Sequence, residues 1–90
     1  MNRLIFGPDA SKALRGMNAA QRTAALNRFK LFQFSPEVPG LNFEKLGGFA
    51  NLYSIRLSRS HRAILRKVAD EQGVLFEVVK IGPHDIYRRP

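Results

Sequence analysis

Apolar and polar positions change rhythm twice along this chain, and each change marks a new kind of element. Leu4, Ile5 and Phe6 make a short apolar run at the end of Asn2 to Phe6, which predicts a first strand. Gly7-Pro8-Asp9 breaks it. Proline at a first helical position and an acid in the first turn both favour a helix N-terminus, so a short helix is expected over Pro8 to Arg15, with Gly16 able to end it. Asn18 and Gln21 then have the spacing of a capping box. From Ala19 to Phe34 there is neither Gly nor Pro, and Ala25, Phe29 and Phe32 recur at helical spacing on one face. The two segments predict a helical hairpin turning at Gly16-Met17-Asn18.

Ser35-Pro36-Glu37-Val38-Pro39-Gly40 is rich in helix breakers, and beyond it the period drops to two. Leu41 to Leu46 is expected to be extended, with Gly47-Gly48 as a turn. From Leu52 to Ser58, Tyr53, Ile55 and Leu57 alternate with Ser54, Arg56 and Ser58, the signature of a half-buried strand. Arg59-Ser60 turns the chain into a further strand over Arg62 to Val68. Asp70 to Gly73 reads as a hairpin loop, and Val74 to Ile81 as a central strand apolar on both faces. Gly82-Pro83 ends it, before a polar, basic tail. A strand, two helices and then a run of strands predict an α+β fold in two layers, an antiparallel meander with its helices segregated from it.

At 90 residues the chain is one domain, 1–90, and its 44% apolar content is that of a globular protein. It has no cysteine, which excludes disulfides and thiolate metal sites. No apolar run approaches the roughly 20 residues that span a bilayer. The N-terminus lacks the apolar stretch of a signal peptide, so the expected location is cytoplasmic. Charge changes the picture most. Fifteen Lys and Arg against seven Asp and Glu give a net +8, which points to a polyanion or an acidic protein as partner.

Arg56 lies on the non-apolar face of its strand, between Ser54 and Ser58, and Arg62 opens the next strand. Two arginines on adjacent antiparallel strands can converge on one anion. A solvated charged face accounts for the pattern equally well. Glu44 would share a face with Asn42, either held ionised among arginines or bridged to Arg56 or Arg62. His84 and Tyr87 follow a strand end, where functional side chains often gather, and histidine serves as acid or base near neutral pH. His61 adjoins Arg62. No phosphate-binding glycine loop or zinc-binding motif occurs, and no metal or other cofactor is expected.

Asn42-Phe43-Glu44-Lys45-Leu46, then Leu52-Tyr53-Ser54-Ile55-Arg56-Leu57, then His61-Arg62-Ala63-Ile64-Leu65 resemble the RelE/ParE toxin superfamily. So does the closing Ile81-Gly82-Pro83-His84-Asp85-Ile86-Tyr87-Arg88, and the Ser-x-Arg followed by His-Arg is similar to the YoeB-like branch. The resemblance covers about residues 41–89. It implies the toxin of a type II toxin–antitoxin system, a metal-independent messenger-RNA endoribonuclease acting on the ribosome. It implies Glu44 as general base, Arg56 and Arg62 as phosphate-binding cations, His84 as general acid and Tyr87 as orienter, base-stacker or alternative acid. Lys45, Arg59, His61, Arg66, Arg88 and Arg89 are the expected RNA contacts. Ser54 stands where RelE carries a lysine, and no helix is expected beyond the tyrosine, since the sequence ends at Pro90. A cognate antitoxin is the implied protein partner. Two other functions fit the same residues: a ParE-like inhibitor that binds DNA gyrase, and a basic RNA-binding module without activity.

Overall fold

A computed structural model describes the backbone of residues 1–70 and 73–83. The order is β1 (Arg3–Phe6), α1 (Pro8–Arg15), α2 (Ala19–Phe34), a 3-10 turn (Pro39–Leu41), β2 (Glu44–Lys45), β3 (Leu52–Arg56), β4 (His61–Asp70) and β5 (Gly73–Pro83). The strands form one sheet in the order β1-β5-β4-β3-β2, and the helices cover one of its faces. The expected α+β architecture is therefore present. Strands β2 to β5 form the antiparallel meander, whereas β1 runs parallel to β5.

The helical hairpin is secured by side chains acting on orphaned backbone groups. Asn18 Oδ1 accepts from the Gln21 amide at 2.8 Å, and Gln21 Oε1 accepts from the Asn18 amide at 3.2 Å, completing the capping box. At the other side of the turn, Gly16 does end α1, but with φ −78°, in the right-handed region rather than the left-handed conformation that glycine usually supplies there. Arg22 takes over the carbonyls. Its Nε donates to Leu14 O at 2.9 Å, and its Nη2 donates to Met17 O at 2.7 Å and Arg15 O at 3.4 Å.

Ala25, Phe29 and Phe32 are buried, as their spacing predicts, against Ile55, Leu57, Ala63, Leu65, Phe76 and Val78. Phe32 is fully buried at the centre, edge-on to Phe43 and Phe76 with ring centroids 5.0 Å from each. Gly7 lets β1 run into α1 beside β5. A Cβ there would lie 3.2 Å from Val78 O, and the Gly7 amide donates to that same oxygen at 2.9 Å.

Two departures from the expected strands reshape the sheet. Leu41 to Leu46 is not continuously extended. The 3-10 turn takes its start, and Asn42 adopts a left-handed φ of 53°, tolerable for asparagine, so only Glu44 and Lys45 pair with β3. Strand β5 carries a bulge. Ile64 pairs with Lys80 but Leu65 pairs with Val78, leaving Val79 as the extra residue. The bulge resets the alternation, so Val78 and Ile81 both face the helices although three positions apart.

Candidate functional site

The face of the sheet away from the helices carries the expected site. Cross-strand register places Glu44 opposite Ser54, Ser54 opposite Ile64, and Ile64 opposite Lys80, one row across four strands. In the next row Arg56 stands opposite Arg62, and Arg62 opposite Gly82. Leu57 donates its amide to His61 O at 3.0 Å, so 57 and 61 form a hydrogen-bonded pair and Arg56 and Arg62 a non-hydrogen-bonded one, the kind with closer side chains. Gly82 adds no side chain on the other flank of Arg62. Glu44 therefore lies diagonal to Arg56, on the same face as both arginines.

Among the described residues, neither Arg56 nor Arg62 has a carboxylate within ion-pair distance, and the structural bridge considered for Glu44 does not form. Two polar atoms here are buried without a partner: Ser54 Oγ, in a residue only 1% exposed, and Arg62 Nε. Buried polar atoms are normally satisfied, so these two are exceptions to the usual pattern. Arg28 of α2 holds the edge of this site from below. Its Nε donates to Arg56 O at 3.3 Å and its Nη2 to Gly40 O at 2.5 Å, tying the end of β3 and the 3-10 turn to one helix.

The remaining expected contacts divide. Arg66 is on the same face but four residues beyond Arg62 on β4, and its Nη1 lies 3.9 Å from Glu77 Oε1. Arg59 is exposed at the tip of the β3–β4 hairpin. Lys45 alternates with Glu44 and His61 with Arg62, so both belong to the helix side of the sheet. His61 Nδ1 lies 3.1 Å from Ser58 Oγ and 3.2 Å from Ser60 Oγ. His84, Tyr87, Arg88 and Arg89 lie outside the described residues.

Sequence reading missed Lys80. Strict alternation from Phe76 and Val78 puts it on the helix side; the bulge at Val79 turns it to the same face as Glu44 and Ser54. Ser54 was read only as a departure from a lysine, yet Lys80 supplies a cation two strands away in its own row.

No family model and no curated protein matches the chain. Solved structures do. The archaeal RelE–RelB complex from Pyrococcus horikoshii OT3 is similar over 91% of this chain and 93% of its own, with 21% identity and a TM-score of 0.70. A YoeB/ParE toxin from Agrobacterium tumefaciens covers 91% of this chain and 98% of its own at 17% identity and a TM-score of 0.71. The intact E. coli RelBE toxin–antitoxin complex covers 90% and 94% at 23% identity and a TM-score of 0.66. The chain thus has the fold of the RelE and YoeB toxins over nearly its whole length.

Proposed function

We propose that this chain is the toxin of a type II toxin–antitoxin system and cuts messenger RNA on the ribosome, in the cytoplasm, by a reaction that needs no metal. The observation that carries this reading is the Arg56–Arg62 pair on the sheet face away from the helices, with no carboxylate partner among the described residues and Glu44 diagonal to it. Cutting RNA by internal transfer requires three things: a base for the 2′-hydroxyl proton, cations for the charge gathering on the phosphate, and an acid for the departing 5′ oxygen. Glu44 takes the 2′ proton while O2′ attacks the adjacent phosphorus. Arg56 and Arg62 hold the phosphate oxygens through the transition state. His84 gives the 5′ oxygen its proton, and Tyr87 serves as orienter, base-stacker or alternative acid, both roles carried over from the resemblance. The P–O5′ bond breaks, leaving a cyclic 2′,3′-phosphate and a free 5′-hydroxyl. Lys80, in the row of Glu44, adds a further cation on the same face.

An antitoxin partner follows from the same charge. A net +8 favours a protein that covers the basic face with acidic residues, and the solved neighbours include RelB complexes. The YoeB/ParE neighbour keeps a second reading in view, a gyrase inhibitor that binds without cutting.

The test is induction of the wild type and of the Arg56→Ala, Arg62→Ala double variant in cells, followed by mapping of messenger 5′ ends. New cuts in translated messages, lost in the variant, are the expected result. Growth arrest with intact messages would overturn the nuclease reading, and a gyrase supercoiling assay would then decide the second one.

A further inference from the structure

Among the described residues, Ser54 is the only polar one that the fold buries, and its Oγ has no hydrogen-bond partner. Packing alone would fill such a position with alanine or valine, because a buried hydroxyl left unpaired costs free energy that an apolar group does not. Alternation along β3 sends Ser54 to the same face as Arg56. Register makes Ser54 the diagonal neighbour of Arg62, which is two residues from Ile64, the residue opposite Ser54. Diagonal neighbours lie about 7–8 Å apart, within reach of a side chain as long as arginine. The second orphaned atom is on that arginine: Arg62 Nε is also buried and also unpaired among the described residues.

The two orphans have the same need. Arg62 Nε carries a hydrogen and can only donate, and the Ser54 hydroxyl has a hydrogen to give. The carboxylate nearest in register, that of Glu44 opposite Ser54, makes no hydrogen bond to either. One acceptor from outside the chain would serve both. A guanidinium grips an oxyanion best through two parallel N–H bonds, and the pair that includes Nε holds the anion alongside the side chain rather than beyond its tip. An oxyanion held in that way sits low on the sheet, where Ser54 lies. Gly82, opposite Arg62 on β5, places no side chain across the approach, and Arg56, opposite Arg62 on β3, brings the second positive charge.

We infer that Ser54 is a phosphate ligand, its hydroxyl donating together with Arg62 Nε to the inner oxygens of the phosphate whose charge Arg56 and Arg62 hold. The inference deepens the nuclease reading, from which it takes the phosphate. It gives the serine that stands in place of a lysine a task of its own, a hydrogen bond at the foot of the site instead of a charge.

The test uses inorganic phosphate and the full chain, and needs no turnover. Binding is followed by ¹⁵N NMR at the Arg62 Nε–H signal, and stability by urea unfolding in buffers with and without phosphate. The wild type should show a saturable shift of that signal. Ser54→Ala should weaken phosphate binding about tenfold or more, as when a hydrogen bond to a charged group is lost. Without phosphate the same variant should unfold at an equal or higher urea concentration, because it removes an unpaired buried hydroxyl. A serine satisfied inside the fold, by Arg62 itself or by Glu44, gives the reverse. A lower midpoint without phosphate, an unchanged phosphate affinity in Ser54→Ala, or a wild-type Arg62 Nε–H that ignores phosphate would therefore overturn the inference. A Ser54-dependent phosphate site in a chain that cuts no message keeps the inference and loses the nuclease. Message cutting with a phosphate affinity indifferent to Ser54 keeps the nuclease and loses the inference.

Discussion

Arg56 and Arg62 stand directly opposite each other on β3 and β4, with no carboxylate bridging either of them among the described residues. Like charges facing each other across a ladder destabilise a sheet. Ser54 Oγ and Arg62 Nε are buried without partners in the same region, so the face bears two costs at once. Packing gives no reason for either. An anion bridging the pair would relieve the repulsion.

Replacing one arginine should therefore separate stability from activity. Arg56→Gln is expected to raise the unfolding free energy by about 0.2–1 kcal/mol, the scale of cross-strand side-chain pair energies. The gain should shrink in high salt, because salt already screens the repulsion in the wild type. If the nuclease reading holds, RNA cleavage should fall on the order of 10²–10³-fold, as when one donor to a transition-state oxyanion is lost. Urea melts at two salt concentrations check the first part; a less stable Arg56→Gln at low salt would show that the arginine pair is structural.

Arg22 lies outside the site, yet it closes the helical hairpin. Its guanidinium donates to the carbonyls of Leu14, Arg15 and Met17, at the end of α1 and in the turn that follows. Arg22→Ala should cost about 1.5–3 kcal/mol, the worth of hydrogen bonds from a charged group. Any activity per folded molecule should be retained. An unchanged denaturation midpoint would mean that water satisfies those carbonyls equally well.

Both helices and the arginine-bearing strand were legible in the sequence, because their signals are local. Asn18 with Gln21 caps α2, Ala25, Phe29 and Phe32 mark its buried stripe, and alternation around Ile55 sends Arg56 to the open face. Three features were not legible, each for a physical reason. The parallel pairing of β1 with β5 joins residues some seventy positions apart (Arg3 with Leu75), and no local pattern encodes it. Asn42 leaves the extended region and shortens β2 to Glu44 and Lys45. The bulge at Val79 inverts the parity of everything after it, which hid Lys80 from a reading based on strict alternation. His61 and Lys45 went to the helix side by the same alternation that placed Arg62 and Glu44 together.

The core should be sensitive at one aromatic above all. Phe32 is fully buried and meets Phe43 and Phe76 edge-on, linking α2 to the approach to β2 and to β5. Phe32→Ala should destabilise by about 3–5 kcal/mol, from lost burial and the cavity left behind. In a domain with about 5–15 kcal/mol of total stability that is a large share. Thermal and urea unfolding would check it; a loss below about 1 kcal/mol would mean that the neighbouring rings collapse into the space.

The bulge makes a more unusual prediction, because it concerns a residue whose removal should be tolerated. Val79 has no partner on β4, while Val78 and Lys80 pair with Leu65 and Ile64. Deleting Val79 turns the bulged stretch into a regular ladder. Val78 and Ile81 still face the helices, Lys80 stays in the row of Glu44 and Ser54, and Gly82 stays opposite Arg62. Only the extra local twist of the bulge is lost. The deletion should thus unfold cooperatively, at a cost below the roughly 2–5 kcal/mol of truncating a core aliphatic residue to alanine. Cross-strand contacts between the backbones of Arg62 and Gly82, observed by NMR, would show the register preserved. A chain that no longer folds would mean that the twist itself is required to close the sheet over Phe32.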